Sequence, residues 1–186
     1  MLEVIRGQTI FMENQESVIV RTALHKDISL LAALGAKTFR VTFAQDNTPE
    51  DMEAYLTEHF SEEKVAQEIA DPRAVFLIAE LAGKPLGYAK LNMGDPDAGV
   101  TGAKPVELVR LYVLPESIGQ GIGARLMKEA IETATSRGFE TLWLGVWEHN
   151  HRAIGFYRKW GFEEVGSHIF QLGSDAQTDL ILQKLL

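Results

Sequence analysis

Within residues 106–137 a strand-like apolar run passes through a short loop into three alternate glycines and then into an amphipathic helical pattern. No other stretch constrains the fold as much. The segment ELVRLYVLPESIGQGIGARLMKEAI predicts a strand over 106–113 and a helix over 122–137 that Gly138 closes. Gly119, Gly121 and Gly123 remove side chains where that helix begins, so its unpaired N–H groups and positive end can approach an anion closely. The plainer alternative is that the glycines only form a turn. Gly119, Gly121 and Ala124 also satisfy the dinucleotide pattern G-x-G-x-x-G/A. That pattern needs an acid at the end of the next strand to hold a ribose, about 20 residues on. Glu140 stands at the beginning of that strand and Glu148 comes too late. No Gly-Lys-Ser/Thr follows, so a P-loop is excluded as well.

The rest of the chain reads as one domain over 18–186 behind an N-terminal extension, 1–17, without clear period. A strand is predicted over 18–23, and Asp27 is placed to cap a helix over 28–43. Thr48-Pro49-Glu50-Asp51 is a second helix start, with Met52, Leu56 and Phe60 facing inward, and Ser61 caps a short continuation through 69. Residues 74–81 and 86–92 form a hairpin across Ala-Gly-Lys-Pro, followed by a loop over 93–105 rich in Gly, Asp and Pro. Further strands are expected over 141–147, 162–171 and 178–186, with a helix capped by Asn150 and closed by Gly161. The expected class is α+β: a mixed, mostly antiparallel sheet of about seven strands flanked by about four helices.

Composition narrows the chemistry. There is no cysteine, hence no disulfide, no thiolate metal site and no cysteine nucleophile. A net charge of -8 argues against nucleic acid as a partner and favours cationic ligands. No apolar run approaches the roughly 20 residues needed to span a bilayer, and no signal peptide is visible, so a cytoplasmic location without membrane association is expected. His149 and His151 lack a third ligand nearby, and no metal is expected.

The glycine segment and the run NHRAIGFYRKWGF together resemble the GNAT superfamily of acyl-CoA N-acyltransferases, whose signatures are Q/R-x-x-G-x-G/A after a strand and N-x-x-A-x-x-F-Y-x-K-x-G-F. Ile118 stands where the family has Gln or Arg, with Gln120 nearby as a replacement. The runs TFRVTFAQDNTPEDMEAYL, WLGVWEHNHRAIGFYRKWGF, VGSHIFQLG and QTDLILQKLL are similar to PaiA-type bacterial polyamine acetyltransferases. The resemblance implies a splayed acetyl-CoA cleft, with spermidine or spermine as acceptor and a homodimer as an open expectation.

Residue by residue, it implies that acetyl-CoA meets Leu111, Tyr112 and Val113, then Ile118, Gly119, Gln120, Gly121, Ile122, Gly123 and Ala124, and on the later helix Asn150, Ala153, Tyr157 and Lys159. Backbone amides near 111–113 would hold the developing oxyanion. Tyr157 matches the general acid, and Gly145 leaves room for pantetheine. The base is expected to be Glu107, with Glu80 and Glu148 as alternatives through a water chain. Asp46, Glu50, Asp51 and Glu53 beside Phe39, Phe43 and Tyr55 would hold the cationic substrate, together with Glu148. Rival readings are a protein N-terminal or lysine amine or an aminoglycoside as acceptor, and a non-catalytic acetyl-CoA-binding regulator.

Overall fold

The structure, a computed structural model, describes residues 17–172 and 175–186. The expected extension over 1–17 lies outside the described residues except for Ser17. Strands β1 (Ile19–Thr22), β2 (Ala74–Leu81), β3 (Lys84–Asn92) and β4 (Pro105–Val113) are successively antiparallel. Next to β4 lies β5 (Thr141–Trp147), the one parallel neighbour among the described strands. The hairpin of β6 (Glu163–Leu172) and β7 (Asp175–Leu185) completes one sheet in the order β1-β2-β3-β4-β5-β7-β6.

Period-two alternation divides the central strands between two faces. Val75, Leu77 and Ala79 of β2 join Ala89 and Leu91 of β3 in the core beneath α4 (Ile122–Ser136). Phe76, Ile78 and Tyr88 point the other way, against α1 (Ile28–Phe43) and α3 (Glu62–Ala70). Full burial of each Val, Leu, Ile or Phe among these stabilises by about 1.5–3 kcal/mol. A third cluster of Phe39, Met52, Leu56 and Phe60 fastens α2 (Pro49–Phe60) to α1. The fifth helix, α5 (His151–Lys159), places Ile154 and Tyr157 in the α4-side core.

One local expectation holds and one is corrected. As expected, Ser61 caps a short further helix: it is extended (φ -63°, ψ 152°) and its hydroxyl accepts from Lys64 N–H at 3.3 Å. Counted separately, that helix brings the α-helices among the described residues to five. Asp27 does not cap α1 with its side chain. A 3-10 turn over His25–Asp27 directs its carboxylate back to Leu24 N–H at 2.8 Å and to the Arg21 guanidinium at 2.8 and 2.9 Å.

Two departures from regular pairing create the cleft. Lys90 pairs with Arg110 and Leu91 with Leu108, so Val109 is an extra residue that bulges β4. Parallel pairing with β5 covers only Pro105, Val106 and Glu107, opposite Thr141, Leu142 and Trp143. Both strands continue, to Val113 and Trp147, so the sheet opens between them.

Candidate active site

On the α4 side of the opening, Gly119 and Gly121 take φ of 85° and 78°, and a Cβ at either would meet no atom within 4 Å. That backbone is both left-handed and open, a combination glycine adopts without strain. Gly121 is the N-cap of α4, and no side chain caps that helix. Its first N–H groups therefore face a chamber of about 350 Å³. Leu111, Val113, Ile118, Gly123 and Ala124 line it, with Ala153, Phe156 and Tyr157 across from them on α5. Gln120 does not replace the missing Gln/Arg contact, because its amide turns back to donate to the Glu116 carbonyl at 2.8 Å. Ile122 is buried in the core and reaches the chamber from beneath.

On α5, Asn150 Oδ1 accepts from Ala153 N–H at 3.2 Å, so the residue caps the helix while bordering the cleft. Tyr157 lines both this chamber and a larger cavity on the other side of the gap. Burial pushes its phenol well above the ordinary range. Lys159 is exposed and lines neither of these two chambers. It lies two residues beyond Tyr157, away from the face that holds Ile154 and Tyr157.

The larger cavity, about 440 Å³, lies between β4 and β5 and under α1, α2 and the β6–β7 hairpin. Phe39 stacks on Tyr55 at 4.5 Å, Phe43 lies 4.5 Å from Phe39, and Phe170 meets Tyr55 edge-on at 5.8 Å. Burial pushes the Tyr55 phenol up to about 12. Tyr112 completes this aromatic wall, again with its phenol pushed up by burial. Gly145 faces the cavity and is exposed in the gap. Trp147, Arg152 and the histidines His149 and His151 line an adjoining chamber of about 540 Å³.

The acids of this cavity differ from the expected ones. Glu50, Glu53 and Asp46 are exposed and absent from its wall; Glu53 pairs with Arg40 at 3.1 Å, and Asp51 shares a 2.8 Å bond with the Thr48 hydroxyl. The phase of α2 explains this, since burying Met52, Leu56 and Phe60 turns its first-turn acids to solvent. Glu148 also lies outside the wall, and Glu80 is held by Arg21 at 3.0 Å. Of the expected acids, Glu107 alone reaches the cavity, joined there by Glu68 and Asp179. Burial raises the Glu107 and Asp179 carboxyls, against the opposing pull of Lys90 and His168 on the first and His168 on the second.

Glu68 bridges Lys90 at 2.8 Å and Arg110 at 2.9 Å. Burial alone would raise its carboxyl, but the two cations outweigh that and hold it below its ordinary value. His168 borders the same cavity, with Nδ1 bonded to Asp97 and Nε2 3.9 Å from Asp179. His168 and Asp179 lie within VGSHIFQLG and QTDLILQKLL, runs legible as wholes but not as individual roles. Among the described residues no group of three or more His, Cys, Asp or Glu could hold a metal ion. No helix among them is long and apolar enough to cross a membrane.

Comparison with known proteins agrees with this architecture. Residues 40–162 match the family model described as Acetyltransferase (GNAT) family. An uncharacterized N-acetyltransferase of the pepI 3' region of Lactobacillus delbrueckii subsp. lactis is 37% identical over 161 residues, covering 87% of this chain and 93% of the relative. A spermidine N(1)-acetyltransferase of Thermoplasma acidophilum is 27% identical over 151 residues, covering 79% and 89%. The crystal structure of the PaiA N-acetyltransferase of the same organism, in complex with coenzyme A, superposes with a TM-score of 0.76 at 26% identity over 91% of this chain and 99% of that one. With the splayed β4–β5 pair and the glycine-opened α4 in place, the chain belongs to the acetyltransferase (GNAT) family and is an N-acetyltransferase.

Proposed function

We propose that the chain transfers the acetyl group of acetyl-CoA directly to a primary amine of a small polyamine of the spermidine type. One observation carries the reading: Tyr157 borders both the glycine-loop chamber and the aromatic, carboxylate-bearing cavity, which meet at the gap between β4 and β5. In this reading the pyrophosphate rests on the backbone of Gly119 to Gly123, and the pantetheine runs along β4 towards Tyr157, with Asn150 and Ala153 opposite. Backbone amides of β4 beyond the bulge stabilise the oxyanion, and Tyr157 protonates the departing thiolate. Glu107 and Asp179 hold the ammonium while Phe39, Phe43, Tyr55 and Phe170 flank the methylenes. The similarity to the Thermoplasma spermidine N(1)-acetyltransferase supports a polyamine.

A second reading rests on the cations in the same wall. Lys64, Lys90, Arg110 and Arg152 border the cavity that Glu68, Glu107 and Asp179 serve. Such a balance suits an amine that also bears a carboxylate, as an amino acid or peptide does. A thiol-release assay with acetyl-CoA across spermidine, spermine, free amino acids, a lysine peptide and an aminoglycoside separates the readings. We expect the highest kcat/KM for a polyamine, with its advantage shrinking as salt rises. Acetylation of amino acids or peptides with polyamines at background would replace the first reading by the second.

A further inference from the structure

We infer that His168, held in orientation by Asp97, is the base that takes the proton from the substrate ammonium. The inference rests on the acetyl-transfer reading above and assigns a role that reading leaves open. His168 is on β6, and Asp97 is on the loop between β3 and β4, 71 positions earlier. That loop is docked on the hairpin, since Thr101 N–H donates to Gln183 Oε1 at 3.0 Å. An ionised carboxylate only accepts hydrogen bonds, so Asp97 requires the proton to be on Nδ1 of the neutral imidazole. Nε2 is then left with a free lone pair.

That lone pair faces the gap. A Cβ built on Gly145 would lie 3.4 Å from Asp179 Oδ2 and 3.7 Å from His168 Nε2, so the two side chains converge on the strand that forms one side of the opening. Asp179 can receive an ammonium there, and Nε2 is placed to accept its proton. Carboxylate, imidazole and carboxylate thus stand in a row, with Nδ1 and Nε2 each turned towards an acid.

The remaining groups favour His168 over Glu107. The groups facing the imidazole are Asp97 from the loop, Asp179 from β7 and Glu107 from β4. Burial raises the Glu107 carboxyl in spite of the opposing pull of Lys90 and Arg110, so the choice between the two rests on how each would lose the proton. A base must also release the proton after each turnover. The His168 side chain is 33% exposed and can pass it to water, whereas Glu107 is recessed beside Lys90.

The proton balance closes. One proton leaves the ammonium for Nε2 and then for solvent, which frees the nitrogen lone pair. The nitrogen attacks the thioester carbonyl carbon, the C–N bond forms and the C–S bond breaks. Tyr157 gives its proton to the sulfur, and the second proton, shed by the nitrogen, restores the phenol.

The test is the pH profile of His168→Gln with acetyl-CoA and the best amine of the panel. Near pH 7 we expect kcat/KM to fall by roughly 100-fold. The deficit should shrink steadily towards pH 10, where the solution itself deprotonates a primary amine. Coenzyme A affinity should be unchanged, and added imidazole should restore activity to His168→Gly. Asp97→Asn should give a smaller loss of kcat/KM, because the amide no longer requires the Nδ1–H tautomer. Wild-type rates in His168→Gln, or a loss of the same size at every pH without imidazole rescue, would overturn the assignment. If wild-type protein acetylates no amine, the acetyl-transfer reading fails instead.

Discussion

Tyr157→Phe removes a single oxygen from the point where the two chambers meet. The ring contacts of Tyr157 with Phe156 at 5.6 Å and with Phe162 at 5.7 Å remain available to phenylalanine. Stability should therefore change by less than about 0.5 kcal/mol, roughly 2 °C in Tm for a chain of this length. Catalysis should respond differently. Loss of a positioned general acid slows transfer by roughly 100-fold, or about 2.7 kcal/mol of transition-state stabilisation, with acetyl-CoA affinity unaltered. Burial raises the phenol above its ordinary 10.0, so in the folded protein it keeps its proton through neutral and moderately alkaline pH. The corresponding stability is present below pH 10 and is lost as pH rises through the elevated folded value, so the wild-type rate should have no alkaline limb from Tyr157 below pH 10. Single-turnover thiol release, calorimetry with coenzyme A and thermal unfolding measure the three quantities. An unchanged chemical rate in a folded variant would refute the acid role, and a large loss of Tm would show that the hydroxyl is structural.

The remaining tests address the cradle, the gap and the buried ions. Gly121→Asp places a negative side chain in the anion site and should abolish measurable coenzyme A binding by calorimetry; Gly121→Ala, which has the same positive φ and no charge, separates backbone strain from repulsion, and wild-type affinity in the aspartate variant would misplace the pyrophosphate. Gly145→Val should raise KM for acetyl-CoA or amine while leaving Tm nearly unchanged, because the residue is exposed in the gap; unaltered kinetics would remove substrate from that space. Glu68→Gln leaves Lys90 and Arg110 without their shared carboxylate and should cost about 3 kcal/mol, roughly 6–12 °C in Tm, part of which Lys90→Met should recover. Since the folded Glu68 carboxyl is depressed below its ordinary 4.5, its contribution is complete above that pH and is lost as pH falls through the folded value. Urea midpoints at pH 7 and pH 4 should therefore fall more steeply for wild type than for Glu68→Gln, and parallel declines would contradict the pairing.

Much of the architecture was legible in the sequence because it depends on local chemistry. The caps at Thr48, Ser61 and Asn150, the glycines before α4 and the alternation of β2 each act within a few residues, and the structure places those elements where the spacing predicts them. Asp27 shows the limit even at short range, since Arg21 competes successfully for its carboxylate. The glycine-loop side of the cleft was legible for the same reason: Gly119, Gly121 and Tyr157 lie in contiguous motifs and line one chamber. The charges of the opposite cavity were not. Glu50, Asp51 and Glu53 are neighbours along the chain, but the helix phase that buries Leu56 turns Glu50 and Glu53 to solvent. Glu68, Asp97, Glu107, His168 and Asp179 come from five separate segments and meet around one opening. That meeting follows from the bulge at Val109, the parting of β4 from β5 after Glu107 and the return of β6 and β7 beside them, relations among distant strands that no local periodicity records.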